Sequence, residues 1–155
     1  MGIKIKLKDL VVEMQCQTDE LSAYFNKKTG DFVGISDYQF SIAENGEAYD
    51  DCAEWERELI EIAKEILNSQ DYILLPSRFE IHDFRIMERF AYSLDNPDHH
   101  AQVCQALGGR GAFRYFKDTV HRLGIVQDWY KFQEDSYKEI AKEWCEENNL
   151  EYVDE

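Results

Sequence analysis

The spacing of the apolar residues differs between the N-terminal part of the chain and the rest, and this difference limits the fold more than any other feature. From Leu21 to Phe25, apolar and polar side chains alternate, which is the period of a β-strand with one buried face. From residue 55 onward, apolar residues recur every three or four positions, the spacing of amphipathic helices. The sequence therefore predicts an α+β fold, in which a small N-terminal antiparallel hairpin or three-stranded sheet packs against about five helices.

The β-rich part is predicted to occupy residues 1–45, approximately. Residues 21–26 and 32–36 are separated by a short turn ending in Gly30, which can adopt positive φ without strain and so closes a hairpin. Residues 38–42 are predicted as a third strand. Residues 72–75 are interpreted as a short strand or extended segment, and residues 150–153 as an edge strand.

The helical part is predicted at about residues 50–149, after a first helix near the N-terminus. Asp51 and Glu54 have the spacing of a capping box and precede an apolar stripe that begins at Trp55. No linker divides the sequence, so residues 1–155 are predicted to form a single domain. Leu7–Cys16 is predicted as a short helix from its apolar spacing, although Leu10, Val11 and Val12 also suit a strand. The other predicted boundaries are helix starts between Ser77 and Ile81 and at Asn96-Pro97, and helix ends at Gly124 and at Asn148-Asn149.

The charge of the chain is strongly negative and unevenly placed. There are 32 acidic residues against 17 Lys and Arg, a formal net charge of −15. Residues 44–65 and residues 134–155 each hold nine acids and two bases, so each segment carries −7. Such a field repels polyanions, and the sequence therefore argues against binding of nucleic acid or of an anionic membrane surface.

The cysteines and the N-terminal residues indicate a reducing compartment. The four cysteines are widely spaced with no CxxC pair, and residues 1–7 contain no uninterrupted apolar run of the kind found in signal peptides and membrane spans. A cytoplasmic protein with reduced, unbridged thiols is predicted, with Cys104 and Cys145 on buried helix faces.

Several motifs resemble the bacterial group known as uncharacterised protein family 0158. They are Leu75-Pro76-Ser77, residues 86–90, the run Gly109-Arg110-Gly111-Ala112-Phe113-Arg114-Tyr115-Phe116-Lys117-Asp118, residues 129–132 and Trp144. The glycine-arginine run is the most specific of these, and the resemblance is weakest between residues 40 and 55. The resemblance implies a bacterial, cytoplasmic protein and brings no activity, cofactor or catalytic residue with it.

The glycine-arginine run is also the feature that stands apart chemically. A helix start with open glycines presents unpaired N–H groups to an anion, and arginine adds bidentate recognition of carboxylate or phosphate. The candidate anion-binding residues are Arg110, Gly111, Arg114 and Lys117. The alternative, which the excess of carboxylates favours, is that Arg110 and Arg114 organise a tight helix junction by pairing with acids of the same chain.

Other kinds of site have weaker support. His100 and Cys104 share a helix face, but a zinc site needs three or four ligands, and the sequence supplies no second ligand motif, so no metal is predicted. No nucleophile motif and no cofactor-binding motif is present, and catalytic residues remain unassigned.

Of the aromatic residues near the arginines, Phe113 and Phe116 are predicted to be core, whereas Tyr115 and Tyr130 are predicted at the surface.

Two functions are consistent with these features. The first is a non-enzymatic cytoplasmic binding or regulatory module that acts through contacts with a protein partner. The second is an enzyme or sensor for a phosphorylated or nucleotide-like anion, bound at the Gly-Arg-Gly helix start. Neither requires a cofactor.

Overall fold

The computed structural model of the chain describes residues 3–77 and 82–154. The chain divides into two compact units, a first unit of Met1–Glu80 with Ala141–Glu155 and a second unit of Ile81–Ile140. The helices of the described residues are α1 (Leu7–Cys16), α2 (Asp37–Asn45), α3 (Glu54–Asn68), α4 (Asp83–Ser93), α5 (Pro97–Ala106), α6 (Ala112–Arg122) and α7 (Val126–Glu147). The strands are β1 (Lys4–Lys6), β2 (Leu21–Asn26), β3 (Phe32–Ser36), β4 (Tyr72–Leu74) and β5 (Glu151–Val153).

The predicted α+β fold and its hairpin are confirmed. Strand β2 pairs antiparallel with β3 on one side and with β4 on the other, which makes a three-stranded sheet in the order β3-β2-β4. In the hairpin turn, Gly30 has a φ of 82° and donates its N–H to the carbonyl of Asn26 at 2.8 Å. The Asn26 side chain accepts from the N–H of Lys28 at 2.9 Å. A glycine at this position avoids the strain that a Cβ would bring at positive φ.

The identity of the third strand differs from the prediction. Residues 38–42 lie in helix α2, and the third strand is β4, one of the two extended segments predicted elsewhere. The reason is local, because Ser36 and Gln39 form a capping box. The Ser36 hydroxyl accepts from the N–H of Gln39 at 3.2 Å, and the Gln39 side chain accepts from the N–H of Ser36 at 3.0 Å. This pair begins a helix directly at the end of β3.

The two ends of the first unit are joined by a second, parallel strand pair. Residues Lys4, Ile5 and Lys6 of β1 pair with Glu151, Tyr152 and Val153 of β5. The predicted edge strand near the C-terminus is therefore confirmed, whereas the pairing strand at residues 4–6 was not predicted. The predicted first helix is also confirmed as α1.

The core of the first unit lies between α1, the sheet and the last turns of α7. Leu7, Leu10 and Met14 of α1 are fully buried. The ring of Phe25 meets that of Trp144 edge to face with centroids 6.2 Å apart, and the Trp144 Nε1–H donates to the Leu74 carbonyl at 2.9 Å. An indole that satisfies its N–H in this way is well suited to a buried position.

Helix α3 begins differently from the prediction. Ala53 is its N-cap and provides no side-chain hydrogen bond, so the capping box predicted from Asp51 and Glu54 is wrong. The buried side is centred on Ile60 and Ala63, and Trp55 lies to one side of it in the first turn, where 62% of the residue is exposed. The apolar stripe therefore lies on the predicted helix, but its buried side is centred on Ile60 and Ala63 and not on Trp55.

The second unit is built from α4, α5, α6 and the first part of α7. The predicted start at Asn96-Pro97 is confirmed, because the Asn96 side chain accepts from the N–H groups of Asp98 and His99 and Pro97 occupies the first turn. Its core is a cluster of rings: Phe90 meets Trp129 and Phe132 at centroid distances of 5.4 Å each, and Phe116 meets Trp129 at 4.7 Å. These are edge-on contacts of the kind aromatic pairs favour.

Three other predictions have mixed outcomes. The helix start predicted between Ser77 and Ile81 falls largely on residues 78–81, which lie outside the described residues; α4 begins at Asp83. Helix α6 ends at Arg122, before Gly124, as predicted. A single domain over residues 1–155 stays a prediction.

No helix in the described part of the chain combines the length and the apolar character that a membrane crossing requires.

The cysteines give a direct test of burial. All four are free. Of the two predicted on buried helix faces, Cys145 is buried and Cys104 is partly buried, and Cys16 is exposed. Burial raises the pKa of the Cys145 thiol to about 11. Because the thiolate is the reactive form, iodoacetamide at about pH 8 should label Cys16 readily and Cys145 only after unfolding, as read by mass spectrometry.

The same shift has a consequence for stability at high pH. The pKa of the Cys145 thiol is higher in the folded protein than in the unfolded chain. The neutral thiol therefore stabilises the fold below the unfolded pKa, and this contribution is lost as the pH rises toward about 11.

The control for the iodoacetamide experiment is labelling in denaturant, where all four thiols should react. Equal labelling rates of Cys145 and Cys16 in the native protein would contradict the burial of Cys145.

Candidate functional site

The candidate residues lie where α5 turns into α6. The N–H of Gly108 donates to the carbonyl of Gln105 at 3.1 Å, which closes the end of α5. Gly111 has a φ of 72° and is the N-cap of α6, with no side-chain cap. Its carbonyl accepts the N–H of Tyr115 at 2.9 Å. The predicted helix start at the Gly-Arg-Gly run is therefore confirmed.

Gly111 is suited to this junction by its backbone conformation. Its φ of 72° lies in the left-handed region, where a side chain would add strain. A Cβ there would meet Cε2 and Cδ2 of Tyr115 at 3.4 and 3.6 Å, ordinary van der Waals distances, so the turn rather than the packing favours glycine.

A cleft of about 400 Å³ opens between α5, the turn and α6. We call it the α5–α6 cleft. Part of its wall is the glycine backbone of the turn, at Gly108 and Gly109. The polar and aromatic side chains that line it are those of Gln102, Gln105, Arg110, Tyr115, Thr119 and Arg122.

The structure separates the four predicted candidates. Arg110 lines the cleft, and Gly111 begins α6 beside it. Arg114 and Lys117 are exposed on the same helix but do not line the cleft. Arg122, two turns further along α6 than Arg114, does line it. The two arginines that line the cleft are therefore Arg110 and Arg122.

Four polar lining residues are not among the predicted candidates: Gln102, Gln105, Thr119 and Arg122. A helical-face argument gives the signal that would have found them. Gln102 and Gln105 are three positions apart on α5, and Tyr115, Thr119 and Arg122 follow the i, i+4, i+7 spacing on α6. Each set therefore lies on one face of its helix.

The charges around the cleft are not balanced locally. Between residues 108 and 124 there are four Lys and Arg and one acid, Asp118. Among residues 3–77 and 82–154, no carboxylate lies within ion-pair distance of Arg110 or Arg114, and neither side chain makes a hydrogen bond there. The expected pairing of these arginines with internal acids is thus not found among the described residues.

The division of charge between the units explains this. The first unit carries 23 acids and nine bases, a net charge of −14, whereas the second carries nine acids and eight bases, a net charge of −1. The surplus of acids therefore lies almost entirely in the first unit, whereas Arg110 and Arg114 belong to the second unit, in which acids and bases are nearly equal in number.

Thr119 provides an independent observation at the floor of the cleft. Its residue is 8% exposed, it lines the cleft, and its hydroxyl has no hydrogen-bond partner among the described residues. Within that part of the chain, no fully buried side-chain oxygen or nitrogen lacks a partner. The Thr119 hydroxyl is therefore not fully buried, and it is accessible to a group bound at the cleft.

The aromatic residues nearby follow the prediction in part. Tyr115 and Tyr130 are exposed, as predicted, and Phe116 is buried. Phe113, predicted as core, is 52% exposed and meets the ring of Phe84 at a centroid distance of 6.4 Å. Phe113 lies at the start of α6, one turn before the buried Phe116, where its ring projects past the core.

The His100 and Cys104 pair lies on α5, at positions other than those lining the cleft. The Cys104 Sγ is 3.7 Å from His100 Nε2, and His100 Nδ1 is 2.9 Å from the carbonyl oxygen of Ala91. The described residues contain no group of three or more His, Cys, Asp or Glu side chains placed to hold a metal ion.

The chain belongs to the uncharacterised protein family UPF0158, whose family model matches residues 3–155. It is similar to the protein named UPF0158 protein PA5073 from Pseudomonas aeruginosa, with 30% identity over 66 residues. That alignment covers 42% of this chain and 43% of the relative, so the chain spans less than half of the relative's length in the match. No solved structure matches the chain.

Proposed function

We propose that this chain is a non-enzymatic cytoplasmic binding module and that the α5–α6 cleft holds the anionic group of its ligand. The observation that carries the proposal is the placement of Arg110 and Arg122 on one cleft while the described residues offer Arg110 no carboxylate partner. Arginine recognises phosphate and carboxylate through two parallel hydrogen bonds, so two arginines at one cleft favour an anion of this kind.

The rest of the cleft supports an anion more than a structural junction. The glycine backbone lets a ligand approach closely, and the Thr119 hydroxyl adds a donor that the fold leaves unused. A hydrogen bond to a charged group contributes about 1.5 to 3 kcal/mol. Each of Arg110, Arg122 and Thr119 that contacts a bound anion adds a bond of this kind.

A second candidate function is docking of a protein partner through the exposed rings of the second unit. The rings of Phe84 and Phe113 meet at a tilted angle of 59° at the surface, where the two residues are 37% and 52% exposed. Exposed large aromatic side chains that cluster in this way are typical of contact sites. Replacement of Phe113 by Ser should then abolish capture of a specific partner from the native cell, whereas Arg110→Ala should leave that capture unchanged.

The anion-binding proposal is tested by calorimetric titration of the full chain with inorganic phosphate and pyrophosphate at low ionic strength. Arg110→Ala and Arg122→Ala should each weaken binding by about tenfold or more, which corresponds to the loss of a charge-assisted hydrogen bond. Both variants should melt at the wild-type temperature within about 2 °C, because surface substitutions usually change stability by less than 0.5 kcal/mol.

Lys117→Ala is the matched control for this titration. It removes one positive charge from the same exposed helix without touching the cleft lining, so its effect should stay within about threefold. Equal losses in the Lys117 and Arg110 variants would show diffuse attraction rather than a site. A clear drop in the melting temperature of Arg110→Ala would instead favour the helix-junction role.

A further inference from the structure

We infer that the ligand of the α5–α6 cleft is a nucleoside monophosphate, with its phosphate on Arg110 and Arg122 and its base on Tyr115. The inference rests on the proposed anion-binding function and goes further, because it assigns a role to the cleft residues that an inorganic anion would not use. Those residues are Tyr115, Gln102 and Gln105.

Tyr115 supplies a stacking surface at the cleft wall. Tyr115 is 57% exposed and lies in the first turn of α6, where its backbone N–H donates to the Gly111 carbonyl at 2.9 Å. Gly111 lies against one side of the ring, since a Cβ there would be 3.4 Å from Cε2. Any nucleobase can stack on an exposed aromatic ring, because every base has a planar π-face.

The two glutamines supply groups that match the edge of a base. Gln102 and Gln105 lie about one turn apart on α5 and both line the cleft opposite α6. A carboxamide carries a donor and an acceptor side by side, which is the pattern that pairs with the edges of nucleobases. An inorganic phosphate would leave both amides without a role.

The sugar and the size of the ligand fit as well. The nearly buried Thr119 hydroxyl at the cleft is suited to a ribose hydroxyl or a phosphate oxygen. The cleft volume of about 400 Å³ lies in the range of small-molecule sites. The net charge of −15 opposes a long polyanion, so a free mononucleotide is favoured over a nucleic acid strand.

The test compares AMP with ribose-5-phosphate and inorganic phosphate, each titrated into the full chain by calorimetry. AMP should bind at least about tenfold more tightly than ribose-5-phosphate, because base stacking adds to the phosphate contacts. Tyr115→Leu should remove this advantage and leave binding of ribose-5-phosphate unchanged within about twofold. Gln102→Leu, a second variant in the cleft, should also weaken AMP selectively.

Tyr130→Leu is the matched control, since Tyr130 is an exposed tyrosine of the same unit, 50% exposed, that does not line the cleft. Its AMP binding should equal that of the wild type. Equal binding of AMP and ribose-5-phosphate would overturn the nucleotide inference and leave the anion site standing, whereas no binding of any of the three would overturn both. A single-stranded RNA of about 20 nucleotides that binds more tightly than AMP would overturn the choice of a mononucleotide.

Discussion

Phe116→Ala should lower the free energy of unfolding by about 3 to 5 kcal/mol, because it empties the centre of the second unit. Phe116 is 1% exposed, and its ring meets Trp129 at 4.7 Å and Phe90 at 6.1 Å, both edge-on. The loss removes the buried area of the ring and both aromatic contacts, and it leaves a cavity that neighbouring rings cannot fill. Urea unfolding followed by circular dichroism measures the change.

Phe113→Ala is the control, because it makes the same substitution one turn earlier on the same helix. Phe113 is 52% exposed, so its replacement should cost less than about 1 kcal/mol. Similar losses in the two variants would contradict the assignment of Phe116 to the core and Phe113 to the surface. The expected loss for Phe116 is a large share of the 5 to 15 kcal/mol that stabilises a typical domain.

The sequence was informative wherever one local interaction decides the structure. Gly30 in the hairpin turn, Asn96 with Pro97 at a helix start and Gly124 after a helix end each act within a few residues, and each was predicted correctly. The error at residues 38–42 has the same origin. Ser36 and Gln39 have capping-box spacing in the sequence, and in the structure this local pair begins a helix where a strand was predicted.

Features that depend on distant residues were harder to predict. The strand at residues 4–6 exists because β5, at the other end of the chain, pairs with it, and no local pattern indicates that partner. The exposure of Trp55 and Phe113 likewise depends on where neighbouring helices end. Helical spacing identifies a face, but the packed neighbours decide which part of that face is covered.

The candidate site shows a related difficulty with charge. The sequence predicts a helix start at Arg110-Gly111, and the structure has one there, but the acid excess of the whole chain led to the expectation of an internal carboxylate beside Arg110 and Arg114. In the structure, the second unit has nearly equal numbers of acids and bases, so the excess of negative charge is not available to Arg110 within that unit. Net charge therefore predicts long-range repulsion better than it predicts the partner of any one side chain.

Gln17→Leu should destabilise the first unit by about 2 to 5 kcal/mol, because one buried amide connects three separate backbone segments. Gln17 is 5% exposed and follows the last residue of α1. Its Oε1 accepts from the N–H of Ala23 in β2 at 3.0 Å. Its Nε2 donates to the carbonyl of Pro76 at 2.5 Å and approaches that of Met14 at 3.5 Å.

A leucine at position 17 keeps the approximate size of the side chain and removes both hydrogen-bonding groups. The N–H of Ala23 and the carbonyl of Pro76, both on buried residues, then lose their partner, and an unsatisfied buried group costs about 1 to 3 kcal/mol. Gln15→Leu, on the exposed side of the last turn of α1, should change stability by less than about 0.5 kcal/mol. Equal unfolding midpoints in urea for the Gln17 variant and the wild type would show that the amide does not hold these segments together.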